Sequence, residues 1–294
     1  MHNPLATINI MKQVFSLIFS IILFSCNSDS SRHDTNMNGE RDKSLLRIKI
    51  NNGGWGKAKE DNISLLLKSN AFFFIVNIDK DNMNSKDVIV KSSDFYYETL
   101  NNPKMIKGDI FNIIYLSAKD QYWAKYAYQF AHEYCHHLID KDFPPEHDQF
   151  GWFEETLCEL ASIHSLKFMA DQWARGKAPY HNWINYHKAL NNYADELLNR
   201  ETNKYEGKLS DWISKNQYIL EKDRVNRPMN LLVASKMYEL FSEFPDLWNT
   251  IPTLGKVEVN SSSLMFEDYI VEWGNKIDKE NKSSFNKLKS LLLN

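Results

Sequence analysis

From Tyr122 onward the apolar residues of this 294-residue chain recur every three or four positions, at Trp123, Ala127, Ala131, Tyr134 and Leu138. That spacing belongs to a helix with a buried stripe and to no strand. Upstream the pattern is different. Residues 46–50 alternate apolar and basic side chains, 71–78 and 88–90 are short Phe, Ile and Val runs, and 110–116 is rich in Ile and Phe. These read as strands, because Gly, Asn, Asp and Ser clusters separate them. The helix from Tyr122 should stop at Pro144-Pro145, and a second should run over 153–174, closed by Gly176. Later helices are expected at 183–200, 209–221, 230–244, 262–275 and 283–293. The expected fold class is α+β: a small N-terminal mixed sheet followed by a mainly helical remainder.

The first 26 residues have another character. Met11-Lys12-Gln13 precedes an apolar run, 14–24, that is too short for a membrane-spanning helix of about 20 residues and suits the core of a secretory signal. Leu23-Phe24-Ser25-Cys26 resembles a bacterial lipobox, which implies a lipid on Cys26. The expected organisation is a signal peptide over 1–25, a flexible tether over 26–44 and a folded body over 45–294. The body divides into a β-rich part, 45–140, and a helical part, 141–294. Either Met1 or Met11 could be the start. Location is then the outer side of a bacterial membrane, periplasmic or at the cell surface, with membrane contact through the lipid alone. The formal net charge of −3 offers no electrostatic case for nucleic acid. A monomer is expected.

His132-Glu133-Tyr134-Cys135-His136 is an HExxH motif inside the first helical pattern. Residues four apart on a helix stack on one face, so His132 and His136 can grip one tetrahedral ion, with Glu133 one step round and within reach of a water there. On the next helix, Glu154, Glu155 and Glu159 place carboxylates one turn apart, and eighteen residues separate His136 from Glu155.

Together these residues resemble the gluzincin metallopeptidases, in which HExxH is followed some eighteen to twenty residues later by a glutamate ligand. The resemblance covers roughly 110–175. It implies one Zn2+ held by His132, His136 and Glu155, with Glu159 orienting a zinc histidine. Glu154 is the alternative ligand; Glu155 is preferred because it pairs with Glu159 at i+4. The implied activity is peptide-bond hydrolysis, with Glu133 as the base that takes a proton from water. The resemblance also implies a zincin-like fold, in which a sheet-edge strand precedes the metal helix and pairs with substrate. Residues 110–118 stand where that strand should be. Its oxyanion donor should lie some sixty residues beyond the glutamate, where Tyr218 sits near Arg224 and Arg227. His181, Tyr186 and His187 are further candidates, and no local motif selects among the six. Aminopeptidases of that group carry Gly-x-Met-Glu-Asn before HExxH. No such segment occurs between residues 45 and 125, which favours an endopeptidase acting on a peptide or protein.

Other residues read more plainly. His137 points about 100° away from His136, towards the surface or the back of the site. Cys135 and Cys158 read as packed thiols, with a disulfide between the two helices as the alternative. His147 reads as a solvated loop residue and His164 as structural. A non-catalytic surface protein that uses the same scaffold to bind a partner is the alternative function; the presence of Glu133 weighs against it.

Overall fold

A computed structural model describes residues 47–141, 148–258 and 264–294. The signal segment, Cys26, the tether, Pro144-Pro145, His147 and Ser262 lie outside the described residues. All described residues belong to one compact unit, Asp42–Asn294. It is a mixed α+β body with a small four-stranded sheet and a mainly helical remainder.

Strands β1 (Ile48–Ile50), β2 (Asp87–Ser92), β3 (Lys104–Ile106) and β4 (Phe111–Leu116) lie in the order β1-β2-β4-β3. The β1–β2 and β2–β4 pairs are parallel; β3 runs antiparallel to β4, with Met105 opposite Ile114. Parallel neighbours need a crossover, and helix α1 (Glu60–Asn77) supplies it between β1 and β2.

That helix corrects the expectation of a strand over 71–78. Glu60 and Asp61 sit in its first turn, where they complement the helix dipole. Ile63, Leu66, Leu67, Asn70, Ala71, Phe73 and Phe74 then bury one face at helical spacing. The Phe-rich run is the last part of this stripe. Asn70 confirms the packing from inside the core: its amide donates to the Ala127 carbonyl and to Ser165 Oγ at 2.6 Å, joining three helices.

The expected edge strand is also corrected. β4, within 110–118, is an interior strand flanked by β2 and β3. The edges are β1 and β3, each only three residues long, and periodicity could not reveal β3.

Helix α2 (Trp123–Ile139) carries HExxH, and α3 (Gly151–Ala174) carries the three glutamates. α2 ends before the two prolines, at Asp140, which takes a left-handed conformation (φ 50°) while its N–H closes on the His136 carbonyl. α2 is buried on nearly every side, so its polar residues are separated from its apolar ones by pairing and not by exposure. α3 is the hub. It packs on α1, α2, α4 (His187–Leu198) and α6 (Arg227–Glu243), with Trp152 and Phe153 fully buried near its start. Helices α5 (Leu209–Lys222), α7 (Phe266–Lys276) and α8 (Lys282–Leu293) complete the body. No apolar period marked the 3-10 segment Pro245–Lys256, which lies buried against α2. No helix of the described residues is long and apolar enough to cross a membrane.

Candidate metal centre

One helical turn on α2 sets the two motif histidines side by side, with ring centroids 5.2 Å apart. α3 crosses this face and presents Glu155. Its carboxylate lies 3.1 Å from His132 Nε2 and 3.5 Å from His136 Nε2. A tetrahedral ion bound at about 2.0–2.1 Å would hold such donors about 3.3–3.5 Å apart. Two imidazoles and a carboxylate are also the donor types that zinc takes. The residues therefore fit a single metal ion. His132, His136 and Cys158 also lie close together, with one donor atom from each within 4.8 Å of the others, and this group too is compatible with a metal site.

Electrostatics explain how so much charge is held in a buried place. Burial opposes ionisation of Glu155, but His136 and His132 outweigh it and hold the carboxyl below its usual range. For His136 burial opposes the cation, yet Glu155 and Glu154 win and raise its pKa well above the ordinary value. The positive charge that these carboxylates favour is the charge a cation would bring.

The far side of each imidazole is matched to a carboxylate. His136 Nδ1 is 2.7 Å from Glu154 Oε1. Glu159 Oε1 approaches His132 Nδ1 at 3.9 Å, short of a hydrogen bond. Glu159 is itself fixed by the Tyr128 hydroxyl and by Arg227 Nε at 3.2 Å. Lys141 backs Glu154 at 4.0 Å and joins Asp148 and the Tyr269 hydroxyl. Glu154 thus faces Nδ1 of His136, away from the Nε2 atoms that Glu155 meets. That placement was invisible in the sequence, where 154 and 155 are adjacent acids; on a helix they face about 100° apart.

Glu133 lies beside this group. Burial raises its carboxyl pKa, while His132 and His136 and the Met105 backbone N–H work the other way. Met105 belongs to β3, so the edge strand meets the motif helix at the expected base. In front of these residues opens a cleft of about 880 Å³, walled by β3 on one side and by Val225, Arg227 and Asn230 on the other.

Of the six candidate oxyanion donors, Arg227 alone lines this cleft. Tyr218 is 73% exposed elsewhere. The Tyr186 hydroxyl accepts from the Ala124 N–H, and His187 Nδ1 meets the Ile184 carbonyl. Arg224 donates to the Glu221 carbonyl, and His181 stands at the head of the 3-10 turn His181–Tyr186.

His137 is neither at the surface nor at the site. It is buried against Asn112, 2.8 Å from Nδ1, and burial pushes its pKa down to about 4. His164 is structural, packed on Tyr238 and Trp248. Cys135 and Cys158 are free, buried and hydrogen-bonded to each other.

No protein-family model matches the chain, and no curated protein or solved structure matches it either.

Proposed function

We propose that the protein is a zinc-dependent peptidase of gluzincin type with a zincin-like fold. The observation that carries this reading is the Glu155 carboxylate set across both Nε2 atoms of the HExxH histidines, with Glu133 beside them on the cleft. His132, His136 and Glu155 would hold the ion. Zinc, when bound, supplies Lewis acidity to a carbonyl and acidity to water at its open position.

The chain's own residues account for the rest. Glu133 Oε takes a proton from the attacking water and passes it to the leaving amine. Its buried setting keeps its proton affinity above that of an exposed glutamate. Glu154 holds the His136 tautomer by accepting at Nδ1, and the Glu159 carboxylate places negative charge behind His132. Arg227 offers a guanidinium to developing negative charge on the cleft side. β3 is an end strand of the sheet and lines the cleft, a position that suits an extended peptide. An endopeptidase exported as a lipoprotein through Cys26 remains the reading for specificity and location.

The purified protein should hold one zinc per chain. Glu155→Ala should lose it. Glu133→Gln should keep the metal and slow peptide hydrolysis by roughly 10²–10⁴-fold. Unchanged metal content in Glu155→Ala would remove the reading. Zinc binding without hydrolysis of any peptide in a random library by wild type would leave the non-catalytic alternative.

A further inference from the structure

We propose that Lys104, on the end strand β3, selects peptides that carry an acidic side chain beside the bond to be cleaved. This rests on the reading of the cleft as a peptidase groove given above and names the substrate class of that groove.

The carboxylates that line the cleft all come from α2 and α3. Glu133, Glu154 and Glu159 are buried, and Glu155 lies across the two histidines. They belong to the floor and are engaged there. The cations that line the cleft are differently placed. Lys107 is paired with Asp140, Lys141 with Asp148 and Arg227 with Glu159. Lys104 is exposed on the wall and has no carboxylate partner among the described residues. It is the uncompensated charge that an entering peptide meets.

The sheet holds this charge in place. β3 sets Lys104 opposite Tyr115, and Tyr115 stands opposite Lys91 of β2. Residues opposite one another across strands face the same side. Tyr96 packs on Tyr115 with ring centroids 5.0 Å apart, and Lys104 Nζ stands 5.8 Å from the Tyr96 centroid. That distance is within the reach of a cation–π contact. The row across the sheet therefore carries two lysines and no acid. An extended peptide laid on β3 adds the next strand, and one of its side chains becomes the next member of this row, beside Lys104. An opposite charge there is favoured and a like charge is opposed. The neighbouring Met105 N–H meets Glu133, so this position of the peptide lies close to the bond that Glu133 serves. Because Lys104 is exposed, the pair is worth a few-fold in selection and not orders of magnitude.

Digestion of a random peptide library by wild type, Lys104→Gln and Lys104→Glu, with sequencing of the products, tests this. Wild type should enrich Asp and Glu about two- to fivefold at one position near the cut. Lys104→Gln should lose that enrichment, and Lys104→Glu should replace it with Lys and Arg at the same position. In about 1 M salt, where charges are screened beyond about 3 Å, the acidic enrichment should fade. No acidic enrichment in wild type, an enrichment that persists in Lys104→Glu, or one indifferent to salt overturns the assignment and leaves the peptidase reading standing. No cleavage by wild type removes the peptidase reading, and binding of dye-labelled peptides then decides the assignment by itself. A pool with Glu at alternate positions should bind wild type more tightly than the matching Gln pool, and Lys104→Glu should reverse the order. Equal binding of the two pools overturns the assignment as well.

Discussion

Glu154 and Glu159 each give their carboxylate to a histidine nitrogen that faces away from the proposed ion. The two cases differ in strength. Glu154 makes a 2.7 Å contact with His136, while Glu159 stands 3.9 Å from His132 and is shared with Tyr128 and Arg227. Removing the charge at the tighter contact should therefore matter more. Glu154→Gln should weaken zinc binding by about 10–100-fold, the usual cost of losing such a partner. A competition titration against a chelator reads this directly; an unchanged constant would make Glu154 a packing residue. The paired acids show where sequence reading stops at this scale. Spacing put His132 and His136 on one face of a helix with Glu133 one step round, because helix geometry fixes which residues share a face, and the family resemblance pointed to Glu155. It could not say that Glu154 would turn to the back of His136, nor that Tyr128 would hold Glu159. Those depend on how α3 crosses α2, which no local pattern encodes.

The helices from α2 onward announced themselves through repeated apolar spacing. The run Phe72-Phe73-Phe74-Ile75-Val76 did not, since a short apolar stretch suits a strand or the end of a buried helix equally well. β3 has three residues and exists only because β4 offers a partner. The segment Pro245–Lys256 has neither period, yet it packs against the HExxH helix. Gly255 lies so close to the end of α2 that an added Cβ would meet the Ile139 carbonyl oxygen and carbon. A backbone carbonyl cannot swing aside as a flexible side chain can. Gly255→Ala should therefore destabilise the fold by about 1–3 kcal/mol, lowering the melting temperature by about 2–4 °C for each kcal/mol. Thermal unfolding monitored by circular dichroism measures it, and a wild-type melting point would mean that the segment moves freely away from α2.

Across the whole molecule, four elements meet at His164: Phe73 of α1, Tyr238 of α6 and Trp248 of the 3-10 segment surround its ring on α3. Burial pushes its pKa down to about 3. In the unfolded chain the same imidazole takes a proton near pH 6.5. Between those values the unfolded state binds a proton that the native state refuses, so stability falls as pH drops from about 6.5 towards 3. The loss is about 1.4 kcal/mol per pH unit, or roughly 2 kcal/mol by pH 5. His164→Phe should lose less stability than wild type between pH 7 and pH 5 in urea denaturation. Parallel acid limbs in the two proteins would show that the imidazole does not drive this dependence.

The donors of the proposed centre, from His132 to Glu155, all lie on two consecutive helices. Loop closure over so short a stretch carries little entropy cost. A growing chain would have both helices synthesised while residues 175 to 294 were still to be made. The cleft wall that carries Arg227 comes from that later part. During synthesis, then, the means to hold an ion precede the means to enclose a substrate, and a chain cut short after α3 would carry the donors without the groove.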